Sequence, residues 1–294
     1  DTLGNGPGYS IILIPFVALH ISLLWMTLIN ALFYYFSITL LYKVLIQTLS
    51  FRFSLIISLL WACYLNLYAN MQYILPETFT VFLISLLIFC VIKCFKNRIS
   101  FKNNKYIYFS GFIIGYIALT KPIFGYVFVI MLIIIGLLWT LDSKIVNYKK
   151  GTMILLVALV TTIPYLAYTY HITNKIFYWS SVGGNNLYWM SSPYNTEYGD
   201  WFSDPLPVED STESHSERCI RLNHDKDFEQ IIRYRPGPER DDVYRRIAIN
   251  NIKLHPVKFI KNCISNGERI LFNFPYSYKY QLPGTVLRLP FTGI

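Results

Sequence analysis

The chain has 294 residues, 54% of them hydrophobic and 17% aromatic, with a mean hydropathy of +0.38, which excludes an ordinary soluble domain of this length. Its net charge is +9, but residues 1–171 balance to +8 and residues 172–294 to +1. The cations therefore sit in short loops between apolar runs, as in a polytopic membrane protein, and not on the basic polar face that nucleic-acid binding needs.

In chain order, Tyr9–Ser22 is apolar but about 14 residues long, short of the ~20 of a crossing, and reads as a juxtamembrane or re-entrant helix. Leu24–Ile46 spans, with Lys43 snorkelling at its end, and Phe53–Ile74 spans back. Thr78–Val91 follows, extended to Cys94 past Lys93. A basic loop, 96–105, leads to crossings at Tyr106–Thr120 and Ile123–Leu141, separated at Lys121-Pro122 because proline disfavours helix at the residue before it. Gly111 and Gly115 form a small-xxx-small pair for close helix packing. Asp142–Lys150 is a further basic loop and Met153–Tyr170 the last crossing.

These runs give a mostly α, polytopic helical membrane protein: an outer juxtamembrane segment (1–23), a block of about six crossings (24–171) and an outward-facing polar portion (172–294). In that portion Gly183-Gly184-Asn185-Asn186 reads as a turn and residues 205–238 as irregular. Asp241–Leu254 reads as a helix started by Asp241 and Asp242. Pro256–Phe274 is a second amphipathic segment, able to lie flat on a bilayer. The chain has no internal repeat. It opens on Asp1-Thr2-Leu3-Gly4 and stops at Ile294 inside an apolar stretch, which reads as an excerpt from a longer protein.

Charge sets the expected orientation. The loops at 43–52, 93–105 and 142–150 hold ten Lys and Arg, whereas the alternate loops hold only Lys121. Basic loops stay in the cytoplasm, so Glu77, Lys121 and everything after His171 face outward, which in a bacterium is the periplasm of an inner-membrane protein.

Glu77 is the only carboxylate between Tyr9 and Leu141. An acid at a membrane boundary is a functional-site candidate; after Pro76 it is also a favourable first-turn acid. Lys121 is the lone outward cation, either a surface anchor or a point-charge partner for phosphate. Asn66, Asn70 and Tyr73 fall on one helical face; Asn66 suits inter-helix hydrogen bonding, and Asn70 and Tyr73 suit a cavity wall. Tyr178, Trp179, Tyr188, Trp189 and Trp201 suit either sugar stacking or an interfacial aromatic belt. His215 and His224, nine apart in a charged tract, lack helical zinc spacing and read as solvated. Cys63, Cys90 and Cys94 read as packing residues. Cys219 and Cys263 are able to pair in an oxidising compartment, though nothing in the sequence fixes their distance.

Five stretches occur in a recognisable order: Gly6-Pro7-Gly8-Tyr9-Ser10, Leu75-Pro76-Glu77-Thr78-Phe79, residues 111–122 ending in Thr120-Lys121-Pro122, Ser180–Trp189, and Ala248–Pro256. Over nearly the whole chain this resembles the bacterial branch of the GT-C glycosyltransferases, the protein mannosyltransferase and aminoarabinose transferase superfamily. The resemblance implies a GT-C-like fold and sugar transfer from a polyprenyl-phosphate donor to a lipid, glycan or protein acceptor on the outer face. It implies a supporting acid at Glu77 and donor-phosphate contacts from Lys121, Lys175 and Tyr9; the cofactor is left open, a divalent cation at Glu77 being one candidate. The cavity would be lined by Asn70, Tyr73, Asn185, Asn186, Tyr188 and Trp189. Two departures stand out. The family's principal acid lies in a first outer loop upstream of the Pro-Gly-Tyr stretch, a loop this sequence lacks. Where many relatives carry a Trp and an Arg near the end of the last crossing, this chain has Pro164-Tyr165 and Tyr168, leaving Lys175 to substitute. The rival class, a transporter or flippase of lipid-linked glycans, calls for charges deep in the bilayer and pseudo-symmetry. A non-catalytic scaffold would leave Glu77 and Lys121 far apart.

Overall fold

The computed structural model describes residues 3–4, 6–64, 73–96, 105–141, 146–200 and 215–272. Asn66, Asn70, Trp201, residues 205–214 and the loop residues 97–104 and 142–145 lie outside them. Every regular element among the described residues is an α-helix: α1 Pro7–Ala18, α2 Leu23–Leu45, α3 Phe51–Ala62, α4 Glu77–Lys96, α5 Lys105–Thr120, α6 Ile123–Leu141, α7 Val146–Thr173, α8 Gly183–Met190, α9 His215–Ile231, α10 Pro238–Leu254 and α11 Pro256–Phe272. They form two compact units, one of residues 5–179 and one of residues 1–4 with 180–294.

In the first unit four helices are long and apolar enough to cross a membrane: Leu24–Leu45, Glu77–Phe95, Ile123–Leu141 and Tyr148–Thr173. This fits a multi-pass membrane protein. The outward faces of these helices are apolar, with Leu32, Phe36, Ile130, Ile133 and Val160 all exposed, as lipid-facing surfaces are. Ser22 starts α2 by accepting the Leu24 N–H on its hydroxyl, filling one of the donors a helix start leaves open.

The expected return crossing, Phe53–Ile74, is not one continuous helix. α3 has 12 residues and ends at Ala62, where Cys63 caps it. The chain nevertheless comes back. Phe33 and Phe36 of α2 pack on Phe79 and Phe82 of α4, in the same order along both helices, so α2 and α4 run parallel and the start of α4 lies back at the end where α2 began. The Tyr34 hydroxyl donates to the Trp61 carbonyl, which places the end of α3 beside the middle of α2. One other expected boundary shifts. α7 begins at Val146, so Lys149 and Lys150 are helical and not in a loop; Lys150 is buried and its ammonium donates to the Cys94 carbonyl at 3.1 Å.

α5 is the central helix. Its 16 residues make about 24 Å at 1.5 Å per residue, short of a ~30 Å hydrocarbon core. Nine of the 16 are buried, including Ser110, Gly111, Gly115 and Thr120. It contacts α1, α4, α6 and α7. A Cβ on Gly111 would lie 2.5 Å from the Ile154 carbonyl oxygen, and one on Gly115 would lie 2.8 Å from that of Ala158. The glycine pair is therefore the seam along which α5 meets α7 backbone to backbone.

The second unit is built on a core of Tyr188, Trp189, Ile220, Phe228, Ile231, Val243 and Tyr244. Leu3 joins it: its carbonyl accepts the Ser181 N–H at 2.8 Å. Two expectations are corrected here. Gly183–Asn186 is the first turn of α8 and not a loop. Asp241 Oδ1 accepts the Gly184 N–H at 2.5 Å, and a carboxylate at a helix N-terminus satisfies open donors and the dipole together. Gly184 is required there, because a Cβ would sit 2.0 Å from the Asp241 carbonyl oxygen. The tract 205–238, expected to be irregular, contains the 17-residue helix α9. α10 and α11 fall where the sequence puts them.

Candidate functional site

In the first unit Glu77 and Lys121 meet. α4 begins at Glu77 after Pro76, and Lys121 follows the last residue of α5; because the two helices are antiparallel neighbours, both side chains come to one end. Lys121 Nζ lies 2.6 Å from Glu77 Oε1, with side-chain exposures of 30% and 37%. The other carboxylate oxygen, Oε2, is buried without a hydrogen-bond partner among the described residues. A pair this open contributes little to stability, about 0–1 kcal/mol, so its reason for being there is to be sought in what it meets.

The Gly6-Pro7-Gly8-Tyr9 stretch packs against the same end of α5. A Cβ on Gly6 would lie 2.0 Å from the Leu119 carbonyl oxygen, and one on Gly8 would lie 2.4 Å from Thr120 Oγ1. The Tyr116 hydroxyl donates to the Gly8 carbonyl at 2.8 Å. Tyr9 is buried and donates to Asn30 Oδ1 at 3.1 Å, while Asn30 Nδ2 donates to the Tyr73 carbonyl at 3.2 Å. α1, α2 and the segment entering α4 are thus tied together behind the ion pair. Tyr73 itself is exposed, and Asn70 lies outside the described residues. Lys175 sits with its ammonium 5.1 Å above the Tyr178 ring.

A divalent cation does not fit the pair as found. The carboxylate is single, its Oε1 faces an ammonium at 2.6 Å, and no group of three His, Cys, Asp or Glu side chains suited to a metal occurs among the described residues.

The remaining expected cavity residues belong to the second unit, where all but Asn186 are buried. Tyr188 and Trp189 are fully buried and present no ring face to a sugar; Tyr178 and Trp179, in the first unit, are buried as well. Asn185 is buried and its N–H donates to Asp241 Oδ1, whereas Asn186 is exposed on the far side of α8.

The second unit holds a polar cluster that the sequence reading missed. His224, expected in solvent, is fully buried. Its Nε2 lies 2.7 Å from Glu197 Oε2, and its Nδ1 lies 2.5 Å from the Tyr188 hydroxyl, which in turn donates to Asp227 Oδ2 at 2.9 Å. Ser192 and Asn223 donate to the two oxygens of Glu197, and Lys258 donates to its carbonyl. The signal was present: Ile220, His224, Phe228 and Ile231 recur at the 0, +4, +8, +11 spacing of one helical face. With the imidazole inaccessible, this network holds the unit together. Cys263 is a free thiol 3.7 Å from the Met190 sulfur, so the pairing with Cys219 is not made.

Burial raises the affinity of Glu197 for a proton, but the His224 hydrogen bond and charge, with Ser192 and Asn223, outweigh it and leave the carboxyl below its ordinary 4.5. Folding therefore favours the ionised form. That contribution is complete above about pH 4.5 and is lost as pH falls through the depressed folded value. Asp241 works the other way, because burial outweighs its bonds to Gly184 and Arg245 and raises it. The difference in melting temperature between the wild type and Glu197→Gln is expected to shrink on acidification below pH 4.5, read by thermal unfolding in detergent. A constant difference would remove the ionised Glu197 from this account. Burial, with the Asp227 carboxylate beside it, also holds the Tyr188 phenol well above its ordinary value.

Comparison with known proteins adds no identity: no protein family, curated protein or solved structure matches the chain.

Proposed function

We propose that the apolar unit is the membrane core of a glycosyltransferase, taking its sugar from a polyprenyl-phosphate carrier and passing it to a lipid, glycan or protein acceptor on the outer face of the cytoplasmic membrane. The observation that supports this is the Glu77–Lys121 pair, 2.6 Å apart at the end of two apolar helices, with the Gly6–Tyr9 stretch packed against Leu119 and Thr120 beside it. Three of the five stretches that carry the resemblance thus converge on one accessible cation. In sugar transfer from such a donor, negative charge develops on the departing phosphate oxygen, and a fixed cation in a partly dry site stabilises it. Lys121 is that cation. Glu77 holds the ammonium in place before the donor arrives and yields it to the phosphate.

The test is turnover of a labelled polyprenyl-phosphate sugar in membranes carrying the full reading frame. Lys121→Ala removes a charge-assisted contact of about 1.5–3 kcal/mol and is expected to slow turnover roughly ten- to hundredfold. Glu77→Gln should slow it less, and Lys121→Arg should recover part of the rate. Rates unchanged at equal expression would overturn the reading.

A further inference from the structure

The helix α11 is built inside out for a water-exposed surface. An ordinary surface helix turns its apolar stripe to the core and its polar side chains to solvent. Here the inward face is polar. Asn262 is fully buried, and its Nδ2 donates to the Met190 and Ser192 carbonyls at 2.9 and 3.0 Å. Asn266 donates to the Gly199 carbonyl at 3.0 Å. These bonds fix the rotation of the helix, and they turn Val257, Ile260 and Ile264 outward at exposures of 65%, 58% and 57%. The three sit at i, i+3 and i+7, one stripe, and the exposed Leu254 extends it into the end of α10.

Charge selects what covers the stripe. Lys253 and Lys261 are exposed alongside it, and no Asp or Glu occurs between Asp242 and Glu268. A second copy of this chain would bring like-charged rims face to face in a two-fold interface, which is unfavourable. Connectivity supplies the location: the apolar span Tyr148–Thr173 ends seven residues before Ser180, so this part of the chain is tethered at a membrane surface.

We infer that α11 is an interfacial anchor, lying with Val257, Ile260 and Ile264 in the headgroup region of a bilayer and with Lys253 and Lys261 on anionic lipid. This stands independently of the sugar-transfer reading, since it concerns a different unit and a different ligand.

The full-length protein, carrying p-benzoylphenylalanine at Val257, Ile260 or Ile264, is reconstituted in vesicles of phosphatidylcholine with or without phosphatidylglycerol, both radiolabelled, and irradiated. Lipid adducts are expected at all three positions and not at Glu229, an exposed position on α9, and their yield rises with phosphatidylglycerol. Lys253→Gln with Lys261→Gln is expected to lower the adduct yield at Ile260 about fivefold or more in the anionic vesicles. Adducts no more frequent than at Glu229, or adducts of the mass of two chains, would overturn the anchor. A yield indifferent to phosphatidylglycerol and to the two lysines would overturn its anionic selectivity.

Discussion

Replacing His224 by alanine is expected to destabilise the second unit by about 3–5 kcal/mol, the cost of leaving a buried charge without its partner. Glu197 is 2% exposed, and Oε2 lies 2.7 Å from the imidazole. Among the described residues the carboxylate's other hydrogen-bond donors, Ser192 and Asn223, are neutral, and the nearby Lys258 ammonium is bound to the Glu197 carbonyl. The ring also fills space: Trp189, Tyr194 and Phe228 stand around it with centroids 4.9, 5.1 and 5.8 Å away. Alanine therefore opens a cavity as well as stranding a charge, and both effects act in one direction. Glu197→Gln keeps the shape and loses the charge, so it should cost less. The double variant should cost less than the two single costs added, because the stranded carboxylate is gone. Chemical or thermal unfolding of the full chain, with protease susceptibility of the 180–272 region as a second readout, measures all three. A His224→Ala shift under about 1 kcal/mol, the ordinary size for a point change, would mean that the pair is open to water.

The same cluster shows where sequence reading stops. Long apolar runs announce themselves, because crossing a bilayer demands about 20 apolar residues whatever the packing; α2, α4, α6 and α7 were legible for that reason. Glu77 and Lys121 were legible because a lone charge stands out in an apolar tract, and their meeting follows once α4 and α5 are antiparallel neighbours. His224 was hidden by its own surroundings. From Glu217 to Glu229 there are eight charged or amide side chains, two of them, Asn223 and Asp225, flanking the histidine, and that polarity masks a face of only four residues. α8 was misread for a different reason. Gly183-Gly184-Asn185-Asn186 has turn chemistry locally, and the helix starts there only because Asp241, 57 positions away, supplies the carboxylate at its N-terminus. α3 fell short of its apolar run because the run records lipid exposure and not helix continuity. In α11 the apolar and polar faces were readable, but which face turned outward was not; the buried Asn262 decides that.

Bulk on the α5–α7 seam is expected to separate the two helices. Gly111 meets Ile154 and Val157, and Gly115 meets Ala158 and Thr161; the matching four-residue steps show the helices running parallel, with α6 returning between them. The nearest atoms include backbone carbonyl oxygens, at 2.5 Å from a Cβ on Gly111 and 2.8 Å from one on Gly115. A side chain can rotate away from an intruding methyl, but a backbone cannot, so even alanine must push α5 off α7. Gly111→Ala and Gly115→Ala should each cost about 1–3 kcal/mol, the range for overpacking, and Gly111→Leu with Gly115→Leu should abolish the native packing. Gly136 on α6 is the control, because nothing lies within 4 Å of a Cβ there. Gly136→Ala removes backbone freedom without a clash and should stabilise by up to about 1 kcal/mol. Melting temperatures in one detergent separate the two signs, and since α5 also carries Lys121 at its end, loss of the seam should displace the ion pair and take turnover with it. Three glycine variants shifting alike would mean that α5 and α7 do not approach this closely.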